Sequence, residues 1–173
     1  MNIAETYDYL VRARRDLWAT LERVPDEVLS RPLLNGERFH SIKDLVFHIA
    51  SAEDFWICEE ILREQPLRQT VPAFQDTPGG PVYAGFTLKT LLDYWRLVEK
   101  STLTCLATLR DDELKRIATV HDRPGKRFMV DGLLWNIVIH EARHVAQISV
   151  LLRTQGMAPP FLDLFNYLPV PSA

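Results

Sequence analysis

The sequence lacks the features that define several classes of protein. Its two cysteines, Cys58 and Cys105, have no metal-type spacing, and we predict small core residues rather than a disulfide or a redox pair. No apolar run approaches the roughly 20 residues that cross a bilayer, and the start of the chain has no basic-then-apolar signal-peptide order. We therefore expect a cytoplasmic protein with no membrane partner.

The sequence also has no excess of positive charge. The formal net charge at pH 7 is −3, and no basic stripe is visible, so we expect no nucleic-acid partner. Hydrophobic residues make up 47% and charged residues 25%, which is typical of a folded globular protein rather than a disordered one. The length of 173 residues predicts a single domain over 1–173 with a continuous core.

Long runs of strand alternation are absent, whereas helical periodicity recurs in four segments. The predicted helices run from Ile3 to Val24, from after Ser41 to about Glu64, from after Thr87 to about Leu109, and from about Asp131 to Gln155. Ser41 and Thr87 are predicted N-caps, and Gly156 is predicted to close the last helix in a left-handed conformation. This pattern predicts an all-α fold, a four-helix bundle.

Two connections between these helices differ in character. Residues 65–86 are rich in proline and glycine, and a structureless connection of that length often rims a functional site. The sequence Asp122-Arg123-Pro124-Gly125 is a turn signal, and short apolar pieces flank it between Ile117 and Val130. We therefore predict a small hairpin between the third and fourth helices.

Histidines on inward-facing helical stripes are the main chemical signal. His140 and His144 are four residues apart on the fourth predicted helix, so both imidazoles can reach one metal ion. His48, on the inward stripe of the second predicted helix, offers a third nitrogen ligand. A single buried histidine is more often hydrogen-bonded to a neighbour. An adjacent pair with a third histidine favours a divalent metal site with open positions for water or substrate.

The run from His140 to His144 also matches H-E-x-x-H, in which Glu141 would be the general base of a zincin-like metalloprotease. The metzincin continuation is missing, no glutamate follows Glu141, and no sheet edge is predicted that could bind a peptide. Glu141 then either orients a ligand or is an ordinary, partly exposed helix residue. We predict that His40 and His121 are surface residues.

Four other side chains are candidates for a pocket. Arg14 and Glu99 fall on the apolar stripes of the first and third predicted helices, where a charge needs a partner. They form a mutual pair, or they lie at a pocket mouth where Arg14 holds an anionic substrate group, or Arg14 extends to solvent. Gln147 is a candidate partner for bound water or substrate, with packing as the alternative. Trp56 is expected in the core or a pocket wall.

Two segments together carry a family resemblance. Residues 140–153, followed by Gly156 and Pro159-Pro160, resemble the last helix of the DinB-like (DinB/YfiT) family, and His48 with Glu53 and Trp56 resembles its second helix. The resemblance implies an up-down-down-up bundle that is often dimeric. It also implies a divalent metal, commonly zinc or nickel, on His48, His140 and His144. Characterised relatives include transferases and an isomerase that use low-molecular-weight thiols.

These observations predict a metal-dependent enzyme that acts on a small molecule, with a thiol transferase as one form of it. The metal would act as a Lewis acid or bind a thiolate or hydroxide. The alternatives are a non-catalytic metal-binding or stress-response bundle and, third, the zincin-like protease. The fourth helix is apolar nearly all round from Leu133 to Ile139, which indicates burial on more than one face and hence a homodimer.

Overall fold

Four long helical segments carry the fold in the computed structural model, which describes residues 2–35, 39–75, 84–121 and 123–168. In chain order the elements are α1 (Ile3–Leu21), α2 (Asp26–Ser30), α3 (Ile42–Asp54), a π-helical continuation (Phe55–Leu62), 3₁₀ turns (Leu67–Thr70 and Pro72–Phe74), α4 (Leu88–Thr108), α5 (Asp111–Leu114), β1 (Ile117–Thr119), β2 (Arg127–Met129), α6 (Val130–Thr154) and a 3₁₀ turn (Leu164–Asn166). The four predicted helices are therefore confirmed, with the first ending at Leu21 rather than Val24.

The helix ends follow local hydrogen bonding. Ser41 forms a capping box, since its hydroxyl accepts the N–H of Asp44 and the Asp44 carboxylate accepts the N–H of Ser41. Thr87 caps α4 by accepting the N–H of Thr90 at 3.1 Å. Gly156 follows α6 with φ of +73°, the left-handed conformation that was predicted for it.

The second predicted helix changes its hydrogen-bond pattern halfway. After Asp54 it continues as a π-helix to Leu62, a wider coil that often lies near functional sites. Arg63 then adopts a left-handed conformation with φ of +61°, and the carbonyl of Cys58 accepts the N–H of Glu64 at 2.7 Å. The helix therefore ends two residues before the predicted Glu64.

The predicted hairpin is present as a two-stranded antiparallel sheet, in which Ala118 pairs with Phe128. Of the predicted turn, Gly125 has φ of +78°, whereas Asp122 lies outside the described residues. The connection 65–86 is not structureless where it is described, because it contains the two 3₁₀ turns before residue 75. Its residues 76–83 lie outside the described part.

The apolar core lies between α1, α3, α4 and α6, where α3 packs against α4 and α6, and α1 packs against α6 and α4. Trp18 and Trp95 meet edge to face at its centre, with ring centroids 5.5 Å apart. Cys58 and Cys105 are both buried, with free thiols. None of the helices in the described ranges is both long and apolar enough to span a lipid bilayer. The single domain and the up-down-down-up order stay predictions.

Candidate metal centre

The packing of α3 against α6 brings His48, His140 and His144 together. Nε2 of His140 lies 3.1 Å from Nε2 of His48, and one ring nitrogen of each histidine lies within 4.8 Å of the others. The ring centroids are 4.4 Å apart for the α6 pair, and that of His48 lies 4.8 and 4.7 Å from those of His140 and His144. The three histidines that were proposed as ligands from their positions on the helical stripes thus lie close together in the structure.

The local environment keeps two of these imidazoles neutral. Burial, together with His144 and Arg143, lowers the pKa of His140 to about 4. Burial also lowers the pKa of His144, against the hydrogen bond to Gln147, which raises it. A metal ion binds the lone pair of a neutral imidazole, so this protonation state suits coordination at neutral pH.

Two neighbouring side chains fix the orientation of the rings. Nδ1 of His144 lies 2.5 Å from Oε1 of Gln147, which as an acceptor holds the proton on Nδ1 and leaves Nε2 with its lone pair. The ring of Phe39 stacks on His48, with centroids 4.0 Å apart and planes 24° apart. Gln147 therefore contacts a candidate ligand in this structure. Phe39 was missed by sequence reasoning, because nothing in its spacing indicates a stacking partner.

A cavity of about 480 Å³ lies beside His48 and His140. Its wall includes Phe55, Trp56, Glu59, Arg68, Arg123 and Arg143. Trp56 is thus in a pocket wall, one of the two places expected for it. The three arginines were not identified from the sequence, because they come from three separate elements that only the assembled bundle brings to one cavity.

Arg14 and Glu99 lie elsewhere, in a buried ion cluster that joins α1, α3, α4 and α6. The Arg14 side chain is 1% exposed and its guanidinium pairs with Glu53 at 2.7 Å, Glu99 at 3.2 Å and Glu141 at 2.5 Å. Tyr7 also donates to Glu53. The expected Arg14–Glu99 pair is present as part of this larger cluster. The alternative in which Arg14 extends to solvent is wrong, because three carboxylates hold it inside.

Glu141 belongs to this cluster and not to the histidine group. Its side chain is buried, and both carboxylate oxygens accept from Arg14, at 2.8 and 2.5 Å. Burial raises the pKa of Glu141, Arg14 lowers it, and Glu53 and Glu99 raise it further. The expectation of an ordinary, partly exposed residue is wrong. The carboxylate lines a different cavity from His140, which argues against a general base beside the histidines.

The two remaining histidines differ from each other. His121 is 67% exposed, as expected of a surface residue. His40 is half-buried, with Nδ1 3.1 Å from the carbonyl oxygen of Leu34, so it is only partly at the surface. One ring nitrogen of His121 and one carboxylate oxygen each of Glu59 and Glu60 also lie close enough together to hold a metal ion. The buried Glu60, however, is already bound by the backbone and ring of His121 and by Arg63.

Known proteins resemble this chain in sequence pattern and in fold. The model of the DinB family matches residues 1–170. No curated protein matches. Among solved structures, a DinB-like protein from Bacillus cereus ATCC 10987 is 19% identical, with a TM-score of 0.56 over 90% of this chain and 91% of that one. A conserved protein from Enterococcus faecalis is 16% identical, with a TM-score of 0.69 over 88% and 96%.

A third similar structure is YfiT from Bacillus subtilis, which is 17% identical, with a TM-score of 0.61 over 90% of this chain and 87% of that one. It is described as a probable metal-dependent hydrolase with an unusual four-helix bundle topology. At these identities the structures show a shared fold. Together with the family match over nearly the whole length, they identify the four helices as a known bundle: the chain belongs to the DinB family.

Proposed function

We propose that this chain is a metal-dependent enzyme that acts on a small molecule, with His48, His140 and His144 as the ligands of a divalent ion. The observation that carries the proposal is the convergence of three ring nitrogens within 4.8 Å, beside a cavity of about 480 Å³. Three imidazoles are a donor set that suits zinc or nickel. Three protein ligands leave coordination positions open, as in catalytic rather than structural sites.

The residues around the histidines have separate roles in this proposal. Gln147 holds one tautomer of His144, and Phe39 holds the ring plane of His48, so the donor atoms are oriented before the ion arrives. A bound divalent ion would lower the pKa of a thiol or of a water molecule and so supply the nucleophile. Trp56 and Phe55 supply an apolar wall that limits water around the reacting group.

Two nucleophiles fit this centre. The family resemblance favours a low-molecular-weight thiol and hence a transferase. The description of YfiT as a probable metal-dependent hydrolase favours water. Protease chemistry of the H-E-x-x-H type finds no support, because Arg14 engages both oxygens of Glu141. Both remaining reactions need the same three histidines, so one set of variants tests them together.

The test is a turnover screen of the metal-loaded protein with thiols plus a chromogenic electrophile, and separately with chromogenic esters and amides. We expect turnover that a chelator removes, that added zinc or nickel restores, and that His140→Ala abolishes. His121→Ala is the matched control, since His121 is exposed and lies outside the three-histidine group. Turnover that survives both chelation and His140→Ala would contradict the proposal. Metal binding without any turnover would favour the alternative function, a non-catalytic metal-binding bundle.

We also propose a homodimer. Ile139 and Val150 lie on one face of α6, since eleven residues are close to three full helical turns, and they are 65% and 56% exposed. Phe161 and Phe165 add apolar side chains that are 64% and 65% exposed. Exposed apolar groups of this size are typical of surfaces that bind another protein. Sedimentation equilibrium at micromolar concentration checks the mass.

A further inference from the structure

The cavity beside the histidines concentrates positive charge in a chain that is acidic overall. The net charge of the chain is −3, yet Arg68, Arg123 and Arg143 all line this cavity. Glu59 is the one acidic side chain among its described lining residues. The three arginines come from the first 3₁₀ turn, the hairpin connection and α6, so the fold itself brings them together.

Buried hydrogen bonds hold one of these arginines in place. The carboxylate of Asp54, at the end of α3, accepts the backbone N–H groups of Leu67 and Arg68, both at 2.9 Å. The same carboxylate accepts the hydroxyl of Tyr94 at 2.7 Å, and Asp54 is fully buried. Two backbone donors thus anchor the 3₁₀ turn against α3, and Tyr94 of α4 holds the carboxylate that accepts them. The Arg68 side chain leaves this anchored backbone and remains exposed at the cavity wall.

A second arginine lines the cavity and also contacts one of the histidines. Arg143 follows His140 by three residues on α6, and its Nη2 lies 3.5 Å from Nε2 of His144. A group bound by Arg143 would therefore lie next to the proposed metal position. Arg123 follows β1 at the same cavity, so the three guanidinium groups border one space.

Two of the arginines at this cavity differ from many arginines of the described chain in their ion pairing. Many arginines of the described chain form ion pairs with carboxylates: Arg12, Arg14, Arg15, Arg63, Arg96, Arg110 and Arg116. Within the described ranges, Arg68 and Arg143 form no such pair. Their planar donors are therefore available to an anionic ligand in the geometry that carboxylates and phosphates match.

We propose that this cavity binds a small molecule with an anionic group, a carboxylate, phosphate or sulfonate, on Arg68, Arg123 and Arg143. This inference rests on the proposed function, because it names the substrate class of that same centre. The anion is held at the arginine wall, and the reacting end of the molecule reaches His48 and His140. A volume of about 480 Å³ holds a molecule of metabolite size.

The test compares 3-mercaptopropionate with its uncharged amide, 3-mercaptopropionamide, on nickel-loaded protein. Both probes carry the same thiol and differ in the anionic group. Calorimetry and the visible absorption of the nickel ion give the two affinities. We expect the carboxylate to bind about tenfold more tightly, since charge-assisted hydrogen bonds to arginine contribute that much. The double variant Arg68→Gln, Arg123→Gln should bring the two affinities within about twofold of each other.

The matched control is Arg153→Gln, on the same helix α6 but at a different cavity. It should keep the full preference for the carboxylate. Equal affinities in the unsubstituted protein, or a preference that survives the double variant, would overturn the inference.

Nickel content, measured in the same samples, separates this inference from the proposed function. Absence of the charge preference in the unsubstituted protein, at full nickel content, contradicts the anion site alone. If neither nickel nor zinc binds, the proposed function fails. The anion site is then tested by titrating metal-free protein with succinate and following the arginine side-chain NMR signals. Shifts at Arg68 and Arg143 support the site, and equal shifts at Arg153 contradict it.

Discussion

Two clusters of polar side chains include adjacent residues of α6, and they differ in the partners that surround them. His140 faces His48 of α3, whereas Glu141, about 100° further round the helix, faces Arg14 of α1. In the glutamate cluster every charged oxygen meets a donor from Arg14, Arg15, Tyr7 or Thr102. In the histidine group the ring nitrogens converge on one another.

The difference separates a structural cluster from the proposed metal site. Complementary charges that satisfy each other inside the core specify how helices pair, because any other pairing buries an unmatched charge. Imidazole nitrogens that converge beside a cavity are suited to an ion from outside, which binds their lone pairs. Burial of polar side chains is common to both, so the partners of each group, rather than its burial, indicate its role.

Removal of Arg14 should have the largest effect on the fold. Arg14→Ala leaves Glu53, Glu99 and Glu141 without their shared cation, and we expect a loss of about 3–5 kcal/mol in the free energy of unfolding. Urea unfolding measures it. The control is Arg12→Ala, whose exposed pair with Asp8 should contribute less than about 1 kcal/mol. Similar losses in the two variants would remove the distinction between the clusters.

Gln147→Ala should weaken the metal centre without greatly disturbing the fold. The hydrogen bond to Nδ1 of His144 is lost, and with it the preference for the tautomer that directs Nε2 to the ion. We expect metal affinity to fall about 10–100-fold, as for other groups that orient ligands. Competition with a chromophoric chelator measures the affinity. Gln155→Ala, beyond the C-terminal end of α6, should leave it unchanged.

Glu141→Gln tests whether the two clusters are independent. The amide keeps an acceptor oxygen for Arg14, so we expect a smaller loss of stability, about 1–2 kcal/mol, by urea unfolding. Metal content should stay complete. Loss of the metal, or of metal-dependent turnover at unchanged metal content, would give Glu141 a role at the histidines and would restore the protease interpretation.

Acidification should affect the histidine group through His140. Its pKa is about 4 in the folded chain, below its usual value near 6.5, so the unfolded chain binds more protons between these pH values. The free energy of unfolding of metal-free protein therefore falls as the pH drops from about 6.5 towards 4. His140→Gln should show a shallower fall over this window, measured by urea unfolding at each pH. An equally steep fall in the variant would argue against a depressed pKa.

The sequence predicted the long helices and the three converging histidines because both depend on local periodicity and capping. His140 and His144 are neighbours on any α-helix, and a stripe of apolar residues tells which way they face. The hairpin followed from its turn residues. Periodicity, capping residues and turn residues all involve positions that lie close together along the chain.

Contacts between distant elements could not be predicted in this way. Glu141 looks like one of many charged helix residues until the packing of α1 places Arg14 against it. The cavity arginines belong to three elements, and only the assembled bundle shows that they share a space. His40 was expected on the surface, although a backbone carbonyl meets its ring. Glu141 and the cavity arginines depend on other segments, whereas the partner of His40 is Leu34, six residues earlier in the same connection.

The most direct measurement is the metal content of the protein after equilibrium dialysis against zinc and against nickel. We expect about one ion per chain, and little or none in His48→Ala, His140→Ala and His144→Ala, because two imidazoles hold a divalent ion far more weakly than three. His121→Ala should keep the ion. Full metal content in the three variants, with circular dichroism showing that each is folded, would contradict the three-histidine centre.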